Sequence, residues 1–247
     1  MIWYEAFSIT ESGTESVRNE DFRYTDAKQG IFVVADGMGG RPKGKLASKT
    51  AVNTFVSGIR RMTYHERMNR DSIRHVVEST NKKVRALSCN NPELTGIGTT
   101  LTSVILNGIH GHVVHVGDSR MYLFHNGCLS QLTTDHTLVE ELVKGNHISP
   151  DKVEQYPYRH VLSRCVGACD SVEPDIEDLS IESGDLFLLT TDGLPKVLKN
   201  NTIEQLIQSN RNATPEQLCR LLVKRAMKHE VYDDLTAIVI HVCNKET

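Results

Sequence analysis

The sequence predicts an α+β fold built on two antiparallel sheets. Strand signals come in runs and do not alternate strictly with helices, which disfavours a doubly wound parallel sheet. Asn107-Gly108 and Asn126-Gly127 are turn pairs of the kind that join neighbouring antiparallel strands. Helical periodicities gather in two blocks, one after the opening strands and one near the end of the chain. The 247 residues, 39% of them hydrophobic, can build one large domain, and no linker-like composition interrupts them, so a single domain over 1–247 is expected.

Trp3 to Ile9 alternates as a half-buried strand and Ile31 to Ala35 reads as a fully buried one, with the polar stretch Thr10 to Asp21 between them. From Lys45 to Met62 the apolar residues Leu46, Ala47, Ala51, Phe55, Val56 and Ile59 recur at helical steps. Ile73, Val76, Val77, Val84 and Leu87 do the same in a second helix that has Asp71 near its start. Strands return at Thr99 to Leu106, His112 to Val116, Met121 to Phe124 and Leu129 to Leu132, a meander. Residues 136 to 163 then interrupt it with a polar excursion holding Asn146, Pro150 and Pro157, which reads as an inserted flap. Strands follow near Val172 to Ile181 and Leu186 to Thr190, then a helix from about Pro215 to His229 and a last strand from Leu235 to Val242.

Composition excludes several functions. Twenty-eight Lys and Arg against 31 Asp and Glu leave a net charge of −3, which argues against a protein that coats nucleic acid. No apolar run approaches the ~20 residues that a spanning helix needs, so no membrane contact is expected. The six cysteines form no repeated framework, and Met1-Ile-Trp-Tyr-Glu lacks the features of a signal peptide, so a cytoplasmic location is expected.

The informative feature is an acid at the tip of an apolar strand, met three times: Ile31 to Ala35 runs into Asp36-Gly37, His112 to Val116 into Gly117-Asp118, and Leu186 to Thr191 into Asp192-Gly193. Asp233-Asp234 mirrors the pattern by opening the last strand. An Asp-Gly pair is by itself a hairpin signal. Here Asp36-Gly37 leads into Met38-Gly39-Gly40 and a helix, and Asp192-Gly193 into Leu194-Pro195 and a helical segment, so neither pair joins adjacent antiparallel strands. If these strand ends converge, each close pair of carboxylates repels by roughly a few kcal/mol at an effective dielectric near 20, and the cluster needs cations or protons to persist. The donors are all oxygens, with no Cys or His at matching spacing, which suits Mg²⁺ or Mn²⁺ better than Zn²⁺. Two such ions can lower the pKa of a shared water and clamp the attacking and leaving oxygens of a displacement at phosphorus.

Six segments together carry a family resemblance: Asn19-Glu20-Asp21, Val33 to Gly40, Gly98-Thr99-Thr100, Val116 to Arg120, Thr191-Asp192-Gly193 and Asp233-Asp234-Leu235-Thr236. In this order and spacing the chain resembles the metal-dependent serine/threonine protein phosphatases of the type-2C (PPM) class, especially the compact bacterial members, nearly from end to end. The resemblance implies a four-layer α-β-β-α sandwich with two central antiparallel sheets and a binuclear metal site at one edge. It implies that Asp36, Asp192 and Asp233 form the catalytic centre, with Asp36 bridging both ions and Asp192 and Asp233 holding one. The Gly37 carbonyl and the Asp21 region serve the other ion, and Glu20 acts through a bound water. Asp118 matches an acid that bacterial relatives use for a weaker third ion. Met38 follows the first Asp-Gly, where many eukaryotic members place a His as general acid. The implied partner is a phosphoprotein, opposite a serine/threonine kinase, and a monomer is expected.

The chain departs from the family pattern at one point. Most relatives carry a phosphate-binding Arg five residues before the Asp of Asn-Glu-Asp, and that position here is Ser16. Arg18 is on the same side of an extended segment but displaced by about 7 Å. Arg41, with Lys43 and Lys45, makes the following loop unusually basic. Arg18 and Arg41 are therefore the candidates for the substrate phosphate, and the rival reading is a pseudophosphatase, a binding or sensing module. His110, His112 and His115 read as ordinary strand and turn histidines, Cys165 as a small buried hydrophobe, and Ser119 lacks the elbow motif of a nucleophilic serine.

Overall fold

The computed structural model describes residues 2–14, 19–39, 43–89 and 91–244. Ser16, Arg18 and Arg41 lie outside the described residues. Strand β1 is Ile2–Glu11, β2 Phe22–Asp26, β3 Ile31–Ala35, β4 Gly37–Met38, β5 Gly98–Thr99, β6 Leu101–Asn107 and β7 His110–Val116. They are followed by β8 Arg120–His125, β9 Cys128–Gln131, β10 Asp175–Ser180, β11 Leu186–Thr190 and β12 Leu235–Asn244. The helices are α1 Lys43–Arg61, α2 Tyr64–Arg67, α3 Arg70–Cys89, α4 Leu138–Lys144, α5 Asn200–Ser209 and α6 Pro215–Ala226.

Two five-stranded sheets result, in the orders β1-β12-β11-β8-β9 and β10-β7-β6-β3-β2, and β4 pairs with β5 as a small ribbon. The pairings within both large sheets are antiparallel. Three apolar layers hold them. Phe32, Val34, Val104, Met121, Phe187, Leu189 and Ile238 fill the space between the sheets. The alternate residues of the same strands, Ile31, Val33 and Ile105, face α1 and α3 through Ala47, Ala51, Phe55, Ile59, Ile73 and Val77. On the other side Leu188, Ala237 and Val239 meet α5 and α6 through Ile203, Ile207, Leu218 and Leu222. The period-two alternation of side chains thus makes each sheet apolar on both faces, which gives the order α-β-β-α.

Most strand and helix expectations hold within a few residues, but the strands from Thr99 to Leu132 do not form one meander: β6 and β7 pair as a hairpin in one sheet and β8 and β9 as a hairpin in the other, because the chain crosses between the sheets after β7. One side chain differs as well. Leu46 is 40% exposed and does not belong to the buried stripe of α1. The stripe runs through Ala47, Ala51, Val52, Phe55, Val56 and Ile59, and Leu46 is one residue, about 100°, away from it. Between β9 and β10, α4 and a short 3₁₀ turn at Pro150–Gln155 form an excursion. Its stem is closed by the antiparallel bridge Thr137↔Leu162 and by Leu138 N–H donating to the Val161 carbonyl at 2.8 Å. Among the described residues no helix is long and apolar enough to cross a membrane.

Candidate metal centre

Antiparallel pairing brings the strand-end acids together. Asp36 follows β3 and Asp118 follows β7, and both strands finish beside the start of β6, where Val34 pairs with Thr102 and Val116 with Leu101. In the other sheet Asp192 follows β11 and Asp233 precedes β12, whose ends meet at the pair Thr190↔Ala237. The convergence appears in the electrostatics. Burial first, and then the negative charges of Asp21, Asp192, Asp233 and Asp118, hold the Asp36 carboxyl well above the usual carboxylate range.

Each acid is fixed by a distinct local device. Asp36 N–H donates to the Thr100 hydroxyl at 2.8 Å, and its carbonyl accepts from Thr100 N–H at 2.9 Å and the Thr99 hydroxyl at 2.7 Å. The Gly98-Thr99-Thr100 motif is therefore the anchor of Asp36. Gly37 packs so tightly on the start of α1 that a Cβ there would stand 2.0 Å from the Gly44 carbonyl oxygen. Glu20 reaches the same place, its Oε1 accepting from Gly44 N–H at 3.2 Å. Gly117, at φ +111, turns the chain in the left-handed region that glycine tolerates. That turn aims Asp118 inward, where burial and the charges of Asp192 and Asp135 push its carboxyl up to about 7 against the opposing effect of Lys196.

Asp21 is the most enclosed acid, 1% exposed. Its Oδ2 accepts from the hydroxyls of Thr191 and Thr236, both at 2.7 Å, while Oδ1 is buried without a hydrogen-bond partner. Burial raises its carboxyl to about 7, the two hydroxyl bonds oppose this, and Asp192 and Asp234 add to it. Asp192 has the same asymmetry: Oδ2 pairs with the ammonium of Lys196, and Oδ1 is buried and unpartnered. Burial works against the charge of Lys196, but Asp192 and Asp233 outweigh it and hold the ammonium above its usual range. Asp233 is half-exposed and engages Lys196 at 2.7 Å through Oδ2.

These observations test whether divalent ions fit. Buried carboxylate oxygens without donors are costly unless a cation completes them, and Asp21 Oδ1 and Asp192 Oδ1 are two of them. Among the described residues no three Asp, Glu, His or Cys side chains close on one point as a ready chelate. That suits Mg²⁺ and Mn²⁺, because Mg²⁺ keeps several waters and uses only one or two carboxylates, and hard oxygen donors suit both. It does not suit the compact ligand sets of structural zinc.

Several contributing residues carry no strong sequence signal. Asp234, 4% exposed, accepts from Gly13 N–H at 3.1 Å and Glu20 N–H at 2.7 Å, and so ties the amino-terminal segment to β12. Its neighbour Asp233 is half-exposed while Asp234 is buried, so the two adjacent acids do not share a role. Lys196 is four residues after Asp192, a spacing that brings side chains together in any helical turn. His136, at the base of the flap, brackets Gly117: its N–H donates to the Gly117 carbonyl at 2.7 Å and its Nδ1 accepts from Gly117 N–H at 3.1 Å. Further along the flap, His160 is held below the usual histidine range by burial and then by Lys196 and Arg159, against the pull of Asp233. Lys45, counted with the basic loop, instead donates to the Asp21 carbonyl at 2.6 Å. A cavity of about 170 Å³ lined by Phe124, Asp185, Arg211, His241 and Cys243 is at the opposite end of the β1-to-β9 sheet and takes no part.

Oxygen-only acids at the common end of two sheets in an α-β-β-α sandwich define the metal-dependent protein phosphatases. The Protein phosphatase 2C family model matches residues 14–235, and the chain belongs to that family. It is 31% identical over 206 residues to protein phosphatase PhpP of Streptococcus pneumoniae, covering 82% of this chain and 83% of that one. It is 30% identical over 239 residues to the serine/threonine phosphatase stp of Listeria monocytogenes, covering 94% and 93%. Among solved structures, the Mycobacterium tuberculosis serine/threonine phosphatase PstP/Ppp superposes with a TM-score of 0.89 at 28% identity, covering 98% of this chain and 100% of that one. The catalytic domain of PstP in complex with two manganese ions matches with a TM-score of 0.87 at 27% identity, covering 99% and 100%.

Proposed function

We propose that this protein removes phosphate from phosphoserine and phosphothreonine in a phosphoprotein substrate, opposing a serine/threonine kinase in the cytoplasm, and acts as a monomer. The single observation that carries the site assignment is the pair of buried, unpartnered oxygens, Asp21 Oδ1 and Asp192 Oδ1, within a cluster of mutually repelling acids. Asp36, the Gly37 carbonyl, Asp192 and Asp233 would hold two Mn²⁺ or Mg²⁺ ions, with Glu20 and Asp21 completing the shells and Asp118 serving a weaker third. When bound, such ions lower the pKa of a water and neutralise charge on the phosphoryl oxygens. The chain's own groups fix the geometry: Thr99 and Thr100 hold the Asp36 backbone, and Thr191 and Thr236 hold Asp21 in one rotamer. Arg18 and Arg41 bind the substrate phosphate in place of the absent Arg at Ser16. The two-manganese PstP complex supports the choice of ions. The retained acid set supports catalysis over the pseudophosphatase alternative.

The test is hydrolysis of an aryl phosphate and of a phosphothreonine peptide, with Mn²⁺, with a chelator, and with Asp36→Asn. Activity that needs Mn²⁺ and vanishes in the chelator and in the variant is expected. Turnover that survives either treatment, or its absence with Mn²⁺, overturns the assignment.

A further inference from the structure

One cation is already built into the acid cluster. The Lys196 Nζ pairs with Asp192 Oδ2 and stands 2.7 Å from Asp233 Oδ2, so it joins the end of β11 to the start of β12. The bond is locally prepared, because the chain turns after Asp192 and Lys196 N–H donates to the Asp192 carbonyl at 3.0 Å. Asp233 is thereby engaged at both oxygens, the other one accepting from Asp234 N–H at 2.9 Å. Asp192 is half committed, with Oδ1 left over and buried. About a third of the Lys196 side chain is exposed, at 33%, so the flexible stem has a route to solvent.

We infer that Lys196 is a tethered competitor for the divalent ion at Asp192 and Asp233, setting the free metal concentration at which this part of the site fills and holding the two acids together below it. This rests on the reading of Asp192 and Asp233 as metal ligands. An ion that takes Asp233 Oδ2 shares or displaces the Lys196 ammonium at that oxygen, the charged one of its two contacts. Charge-assisted hydrogen bonds are the strong class, so their loss is a real cost. An ammonium that stays within a few ångströms also repels the arriving ion, an effect of kcal/mol size at protein dielectrics. With the ammonium in place the two carboxylates do not repel each other unchecked, so the empty site keeps its shape.

The test compares wild type, Lys196→Gln and Lys196→Arg by Mn²⁺ titration calorimetry and by the thermal midpoint in excess chelator. Lys196→Gln is expected to bind the ion at Asp192 and Asp233 tighter by roughly tenfold or more, since one unit charge near a divalent ion is withdrawn. Its midpoint in chelator is expected to fall, and Lys196→Arg to stay near wild type in both. If Lys196→Gln folds only with metal, competition of the loaded protein against a chromophoric chelator gives the same affinity. Unchanged or weaker Mn²⁺ binding by Lys196→Gln, while wild type binds normally, overturns the competitor role. A wild type that binds no Mn²⁺ overturns the ligand reading beneath it, so the two failures are distinguishable.

Discussion

Replacing Asp21 by Asn should stabilise the metal-free protein, and most of all at neutral and alkaline pH. Burial pushes the Asp21 carboxyl up to about 7 in the fold, against about 3.9 for an unperturbed aspartate. A folded-state pKa above the unfolded one means the native state holds its proton more tightly. Stability from this group is therefore complete below the unfolded pKa and is lost as pH rises through the folded one. The loss is on the order of 4 kcal/mol at about pH 8. Asn keeps an oxygen for the hydroxyls of Thr191 and Thr236 and has no charge to bury, but its amide then faces the place of the unpartnered Oδ1, at a cost of about 1–3 kcal/mol. A net gain of about 1–3 kcal/mol remains, which for a chain of this size raises the thermal midpoint by roughly 5 °C. Differential scanning calorimetry in chelator at about pH 5.5 and about pH 8 reads it, with the gain larger at the higher pH by about 2 kcal/mol. Saturating Mn²⁺ should raise the wild-type midpoint more than that of Asp21→Asn. A variant less stable than wild type at the higher pH, or equally stabilised at both, refutes the view that Asp21 is an uncompensated buried charge.

Other outcomes follow from single contacts. Gly37→Ala should abolish Mn²⁺-dependent hydrolysis and lower stability by at least about 2 kcal/mol, because the added Cβ meets the Gly44 carbonyl at 2.0 Å; urea unfolding and peptide turnover check it. Arg120→Met should cost about 3–5 kcal/mol in urea unfolding, since it strands the Asp135 carboxylate that Arg120 holds with Nε–Oδ1 at 2.9 Å and Nη2–Oδ2 at 2.7 Å. His115 is held down to about 3, chiefly by burial and then by His136. Its stability is complete above the unfolded histidine pKa of about 6.5 and lost as pH falls from there. His115→Asn should flatten the acid limb of a pH–stability curve. Ser16→Arg should raise kcat/KM on a phosphothreonine peptide by roughly tenfold if a bidentate phosphate contact is regained, and leave Mn²⁺ affinity unchanged.

The layers were legible because burial leaves a period in the sequence. Ile31 to Ala35 is apolar throughout, and the strand is covered on both faces. The strand-end acids were legible for the same reason, since a carboxylate closing an apolar run has few bland explanations. What was not legible is whatever depends on hydroxyls and on distance along the chain. Thr191 and Thr236 look like any strand threonines, and their role exists only because Asp21, far away in sequence, is brought between them. Lys196 reads as a solvated turn lysine until β12 places Asp233 beside it. Periodicity gave no warning that Lys45 would serve a backbone carbonyl and not the pocket.

Asp234 has a consequence for how such a site changes over time. One carboxylate accepts from the backbone at Gly13 and at Glu20, so both ends of the segment between them are clipped to the same side chain, just before β12. The residues proposed to serve the metal ions begin where the clip ends, at Glu20 and Asp21. Substitutions between the two clipped ends can therefore accumulate without moving the acids behind them. The usual phosphate-binding position is inside that bracket, at Ser16. A lineage can exchange its way of gripping substrate there, residue by residue, while the chemistry next door stays in register.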